Sequence, residues 1–124
     1  MILDKDLIFS DKQAVTADAA STNALDLGAA GDAVGQELCI HAVVQTTFAT
    51  LTSLTIKVQT SSDNSNWADV VLSPAIVAAD LVKGAEVFTV RVPKGLKRYV
   101  RLYYDVTGSN ATAGKITAFM CKDI

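Results

Sequence analysis

His41 is the only histidine in the chain, so any chemistry that needs an imidazole has to pass through it. One histidine cannot build the multi-histidine cluster of a cupin-like centre, and metal catalysis is not expected. His41 falls in an alternating apolar run, where a partly buried packing residue or an exposed polar face is the expectation rather than a general base. A Ser-His-acid triad would also have to use His41, but no GxSxG elbow is present. The serines gather instead in turn-like segments, where their hydroxyls cap backbone groups. Gly28, Gly31 and Gly35 are spaced as a loop between strands and open no helix, which excludes a phosphate-cradling loop. In SSDNSNWAD, residues 61–69, Asp63, Ser65 and Asp69 supply oxygens at calcium-loop intervals, yet the glycine and the distant bidentate glutamate of such a loop are missing. A tight Asp/Asn turn accounts for them better. The expectation is a protein that is not an enzyme and has no catalytic residue, cofactor or metal site.

Binding chemistry is better represented. Lys94, Lys97, Arg98 and Arg101 run with Tyr99, Tyr103 and Tyr104 through VPKGLKRYVRLYYDV, residues 92–106. Arg and Tyr are enriched where interfaces concentrate their energy, and a local basic stripe in an acidic protein suits an acidic partner surface. An ordinary solvated strand face fits the same residues. Ile2, Leu3, Leu7, Ile8 and Phe9 interleave with Asp4, Lys5 and Asp6, as either an extended arm over residues 1–13 docking on a neighbour or a strand on the chain's own sheet. The candidate partner contacts are therefore Leu7, Phe9, Lys94, Lys97, Arg98, Arg101 and Tyr103. Trp67, the only tryptophan, is expected to close one end of the fold or to anchor an interface.

The elements that must carry these residues are strands. Leu38, Ile40, Ala42 and Val44 share one parity, as do Leu54, Ile56 and Val58, then Phe88, Val90 and Val92, then Val100, Leu102 and Tyr104, and finally Ile116, Ala118 and Met120. Each series reads as a strand with one buried face, the last being nearly apolar on both faces. Weaker strands are expected near Ala14–Ala17, Ala24–Leu27 and Asp69–Leu72. Turn formers separate them at Gly28–Gly35, Ser61–Asn66, Lys83–Gly84, Pro93–Gly95 and Gly108–Asn110. Ser73–Gly84 could be a loop, an irregular strand or a helical turn. The fold class is all-β: one domain over residues 1–124, a jelly-roll-like antiparallel β-sandwich of about eight strands, although periodicity alone does not separate a jelly roll from an immunoglobulin-like sandwich.

Half of the 124 residues are hydrophobic and 19% are charged, which excludes a disordered chain. The net charge of −2 makes nucleic acid a poor partner. The acidic N-terminus and the lack of any apolar run of ~20 residues argue against a membrane span or a signal peptide, so a soluble protein made in the cytoplasm is expected. Cys39 and Cys121 lie in apolar stretches and read as buried thiols, with a disulfide between them left open.

Taken in order, MILDKDLIFSDKQAVTADAASTNALDLG, LTIKVQTSSDNSNW, VPKGLKRYVRLYYDV and TAGKITAF resemble the capsid cement, or decoration, proteins of tailed double-stranded DNA bacteriophages, the Bbp16-like family. The resemblance covers nearly the whole chain. It implies a jelly-roll-like domain on the outside of a virion's head, made in the bacterial host cytoplasm, that oligomerises and clamps neighbouring subunits of the major capsid protein to stabilise the expanded shell. A dimer is favoured over a trimer. The resemblance carries over no catalytic residue and no contact motif, and the two cysteines are not part of it. The alternative is a carbohydrate- or receptor-binding jelly-roll module of a phage particle, with Trp67, Asp63, Asn64 and Asn66 as its platform.

Overall fold

The computed structural model describes residues 8–26, 38–91 and 97–122. Among these residues ten strands follow in order: β1 Ile8–Ala14, β2 Ala19–Ala20, β3 Leu25–Asp26, β4 Leu38–Ala49, β5 Ser53–Ser61, β6 Ala68–Leu72, β7 Ile76–Val77, β8 Glu86–Arg91, β9 Tyr99–Thr107 and β10 Ala113–Lys122. One sheet has the order β1-β10-β4-β8. In the other, β9 pairs β5, with β2 and β3 on the far side of β9 and β6 and β7 on the far side of β5. Every pairing is antiparallel.

The pairings nest. First meets last (β1 with β10), β2 and β3 meet β9, β4 meets β8, and β5 meets β6 and β7. Because β2 and β3 occupy one edge, and β6 and β7 the other, each pair is a single edge strand broken in two. The result is eight strands, a long hairpin rolled into two sheets, which is jelly-roll connectivity. This settles the choice between the two sandwich types that periodicity left open.

Strand alternation builds the core. Ile40, Ala42 and Val44 of β4 and Ile116, Ala118 and Met120 of β10 face Leu54, Ile56 and Val58 of β5 and Val100, Leu102 and Tyr104 of β9, all of them solvent-inaccessible. Burying each large aliphatic side chain contributes about 1.5–3 kcal/mol, and that gain fixes which parity turns inward. Phe119, on the opposite parity of β10, is also buried, as expected for a closing strand apolar on both faces. In the ladder between β4 and β10, Cys39 stands opposite Cys121.

The first strand runs over Ile8–Ala14, ahead of the weak strand expected near Ala14–Ala17, so of the two readings open for the N-terminal segment residues 8–13 take that of a strand on the chain's own sheet. Phe9 is wholly buried in the core and is withdrawn as a partner contact, because a ring with no accessible surface has nothing to offer a neighbour. Leu7 and the rest of residues 1–7 lie outside the described residues, as do the expected turns at Gly28–Gly35 and Pro93–Gly95. Within Ser73–Gly84 the chain forms β7, then one 3-10 turn at Ala78–Asp80, and inserts Leu81 into the core. The weaker strands expected near Ala24 and Asp69 are β3 and β6.

A polar network ties the sheets together at the β1 edge. Gln13 Nε2 donates to the Ala20 carbonyl at 2.9 Å, and Gln13 Oε1 accepts the Thr22 N–H at 2.8 Å. Ser10 Oγ donates to the same Oε1 at 2.6 Å. Its only proton being used, Ser10 Oγ takes the Tyr104 O–H, 2.8 Å away.

Candidate functional site

The alternation that buries Val100, Leu102 and Tyr104 turns Tyr99, Arg101, Tyr103 and Asp105 of β9 outward, and Thr55, Lys57 and Gln59 of β5 beside them. Register sets the neighbours. Gln59 lies opposite Arg101 and Asp69, Lys57 opposite Tyr103 and Leu72, and Thr55 opposite Asp105. The Arg101 guanidinium sits 4.3 Å from the centre of the half-buried Trp67 ring and 5.8 Å from that of Tyr103. Its Nε donates to Gln59 Oε1 at 2.8 Å, while Gln59 Nε2 donates to Asp69 Oδ1 at 2.8 Å. Partial burial pulls the Arg101 pKa down, with Tyr103 opposing the shift. Such stacking is worth about 0.5–2 kcal/mol, more as the cation loses water.

Paired charges flank this centre. Lys57 Nζ lies 3.5 Å from Asp105. Arg98 grips Asp26 with two hydrogen bonds, 2.8 and 3.0 Å, and lies over the Tyr99 ring at 5.2 Å. The Asp26 carboxylate raises the Arg98 pKa. Leu72, on the same row as Lys57 and Tyr103, is 56% exposed.

On the other sheet, His41 Nδ1 meets Glu86 Oε1 at 2.7 Å and the ring stacks on Phe119 with centroids 5.5 Å apart. Thr89 donates its hydroxyl proton to Glu86, and this bond, with His41 adding to it, holds the carboxyl below its ordinary range. The hydroxyl is thereby committed to the acid and not to the imidazole, so the trio lacks the ordering of a nucleophile activated by a base. Asp63 Oδ1 accepts the Ser65 and Asn66 N–H groups and the Ser61 hydroxyl, each at 2.9 Å, and Oδ2 accepts Asn66 Nδ2 at 3.0 Å. Backbone donors, Asn66 and then Ser65, lead in driving its pKa far below the usual carboxylate value. Its oxygens cap the Ser61–Asn66 turn. Among the described residues no group of three or more His, Cys, Asp or Glu side chains is arranged to hold a metal ion.

A family model described as Bbp16 matches residues 9–120. The chain belongs to the Bbp16 family. The matched span starts in β1 and ends in β10, so it takes in both sheets and every residue of the outward face just described. No curated protein matches the chain.

In this Bbp16-family domain Arg98, Arg101 and Tyr103 share the outward face of the β9 sheet. Lys97 is exposed just before it, its N–H donating to Thr60 Oγ1 at 2.7 Å. Lys94 lies outside the described residues. The basic stripe is thus divided: Arg98 is neutralised by Asp26, Tyr104 points into the core, and Arg101 is held between aromatics. The Trp67 ring lies against Arg101. Gln59 and Leu72 were not singled out from the sequence, and Asp69 only as an oxygen at a calcium-loop interval. Their parity was readable, but their place beside Arg101 depends on strand register.

Proposed function

We propose that this Bbp16-family protein is a capsid cement protein of a tailed bacteriophage, bound to the outside of the head and clamping neighbouring major capsid protein subunits. The observation that carries this reading is the family match across the whole sandwich, together with the resemblance of the ordered segments around Asp26, Val58, Pro93 and Thr112 to cement proteins. The outward β9 face supports it, since Arg, Tyr and Trp are the residue types that dominate interface energetics. Association as a homodimer is part of the proposal. Two linked copies hold two capsid subunits at once, and avidity then exceeds a single contact by roughly 10² to 10⁴. A stiff sandwich keeps its contact residues in place and limits the ordering cost of binding. A glycan platform is the less favoured reading, because one Trp67 ring is already engaged by Arg101.

Co-sedimentation of the purified protein with expanded heads lacking it, followed by cryo-electron microscopy of the pellet, tests the reading. Ordered density bridging capsid subunits is the expected result. A folded protein that stays in the supernatant would overturn it. Reversing charge at Arg98 and Arg101 is expected to weaken attachment while the domain stays folded.

A further inference from the structure

Arg101 differs from its charged neighbours in one respect. Lys57 has Asp105 and Arg98 has Asp26, whereas Arg101 has no carboxylate among the described residues. Among the described residues it donates only from Nε, to a neutral amide. Its stem and ring partners nevertheless withdraw it partly from water and fix its plane. A guanidinium that is oriented and partly desolvated, with both terminal nitrogens uncommitted, has already met the ordering cost of the two-pronged hydrogen bonding that carboxylates prefer. Gln59, itself held by Asp69, keeps Nε occupied and leaves the outer fork for a ligand.

The surroundings narrow the ligand to a protein segment. Leu72 is separated from Tyr103 by the single strand β5, about 10 Å at two strand spacings, a distance that about three residues of extended peptide lying across the strands would span. Lys57, which stands between them, is paired with Asp105, and Arg98 is paired with Asp26, so the neighbouring cations are already satisfied. An aromatic and Arg centre with an apolar neighbour and neutralised surrounding charges resembles an interface hot spot.

We infer that the outward face of the β9 sheet, centred on Arg101 between Trp67 and Tyr103, docks a segment of the capsid protein that presents an Asp or Glu carboxylate to Arg101 and an apolar side chain to Leu72. This rests on the cement reading and names its contact. The carboxylate bridges the two terminal nitrogens of Arg101, and the apolar side chain covers Leu72.

Binding isotherms on heads lacking the protein test it with wild type, R101A, R101K and R98A, each first shown to be folded by thermal melting and near-ultraviolet circular dichroism. The expected result is a loss of at least tenfold for R101A and for R101K, since a lysine has the charge but not the fork, and a change under threefold for R98A. If R101A melts below the assay temperature, R101M decides, because its side chain still packs on Trp67. Wild-type affinity in a folded R101A or R101M overturns the inference and leaves the cement reading intact. Failure of the wild type to bind heads overturns both.

Discussion

The Tyr104 hydroxyl of β9 donates to Ser10 Oγ of β1 at 2.8 Å, joining residues 94 positions apart and bridging the two sheets. Tyr104 is fully buried, and burial pushes its phenol well above the ordinary value, so it is a neutral donor at every physiological pH. Its removal and the removal of its acceptor should not cost the same. Tyr104→Phe leaves Ser10 still bonded to Gln13 and is expected to cost about 1 kcal/mol, the net worth of one hydrogen bond. Ser10→Ala strands a buried hydroxyl and is expected to cost about 1–3 kcal/mol. Urea denaturation of both single variants and the double variant checks this, the double costing less than the sum.

Gly114, in β10, holds φ at +145°, a conformation that side-chain-bearing residues rarely adopt, and a Cβ there would overlap the Phe48 ring. Gly114→Ala is therefore expected to destabilise the domain by about 1–3 kcal/mol through strain and overpacking. Adding Phe48→Leu should recover part of the loss, and a Gly114→Ala variant as stable as wild type would show that the ring and backbone can move apart.

Phe9 is where stability and attachment separate. As a wholly buried ring, Phe9→Ala is expected to cost about 3–5 kcal/mol in chemical denaturation. Its folded fraction should bind heads as wild type does. Reduced affinity at full folding would return Phe9 to the contact surface.

Acid should weaken the Ser61–Asn66 turn through Asp63. Its folded pKa lies below the unfolded one, so the stabilisation is complete above the ordinary carboxylate value and is lost as pH falls through the lower folded value. Glu86 adds a dependence of the same sign. Thermal melts from about pH 5 to pH 2 should fall more gently for Asp63→Asn than for wild type, because the variant has no charge to lose over that range. Parallel curves would mean that the turn contributes nothing to global stability.

What the sequence determined by itself is whatever depends on neighbours along the chain. Alternation with a period of two assigned Val100, Leu102 and Tyr104 to one face and Arg101 and Tyr103 to the other, because burial rewards a whole parity at once. The Ser61–Asn66 turn was equally legible, since Asp63 binds donors only two or three residues ahead. Tertiary structure decided the rest. Apolar residues near the N-terminus suit an arm or a strand alike, and only pairing with β10 placed Phe9 in the core. The basic stripe was visible as composition, yet Arg98 met its acid 72 residues away and Arg101 its amide 42 residues away. Those meetings depend on strand register, which is set by packing between distant segments and not by the local pattern of either one.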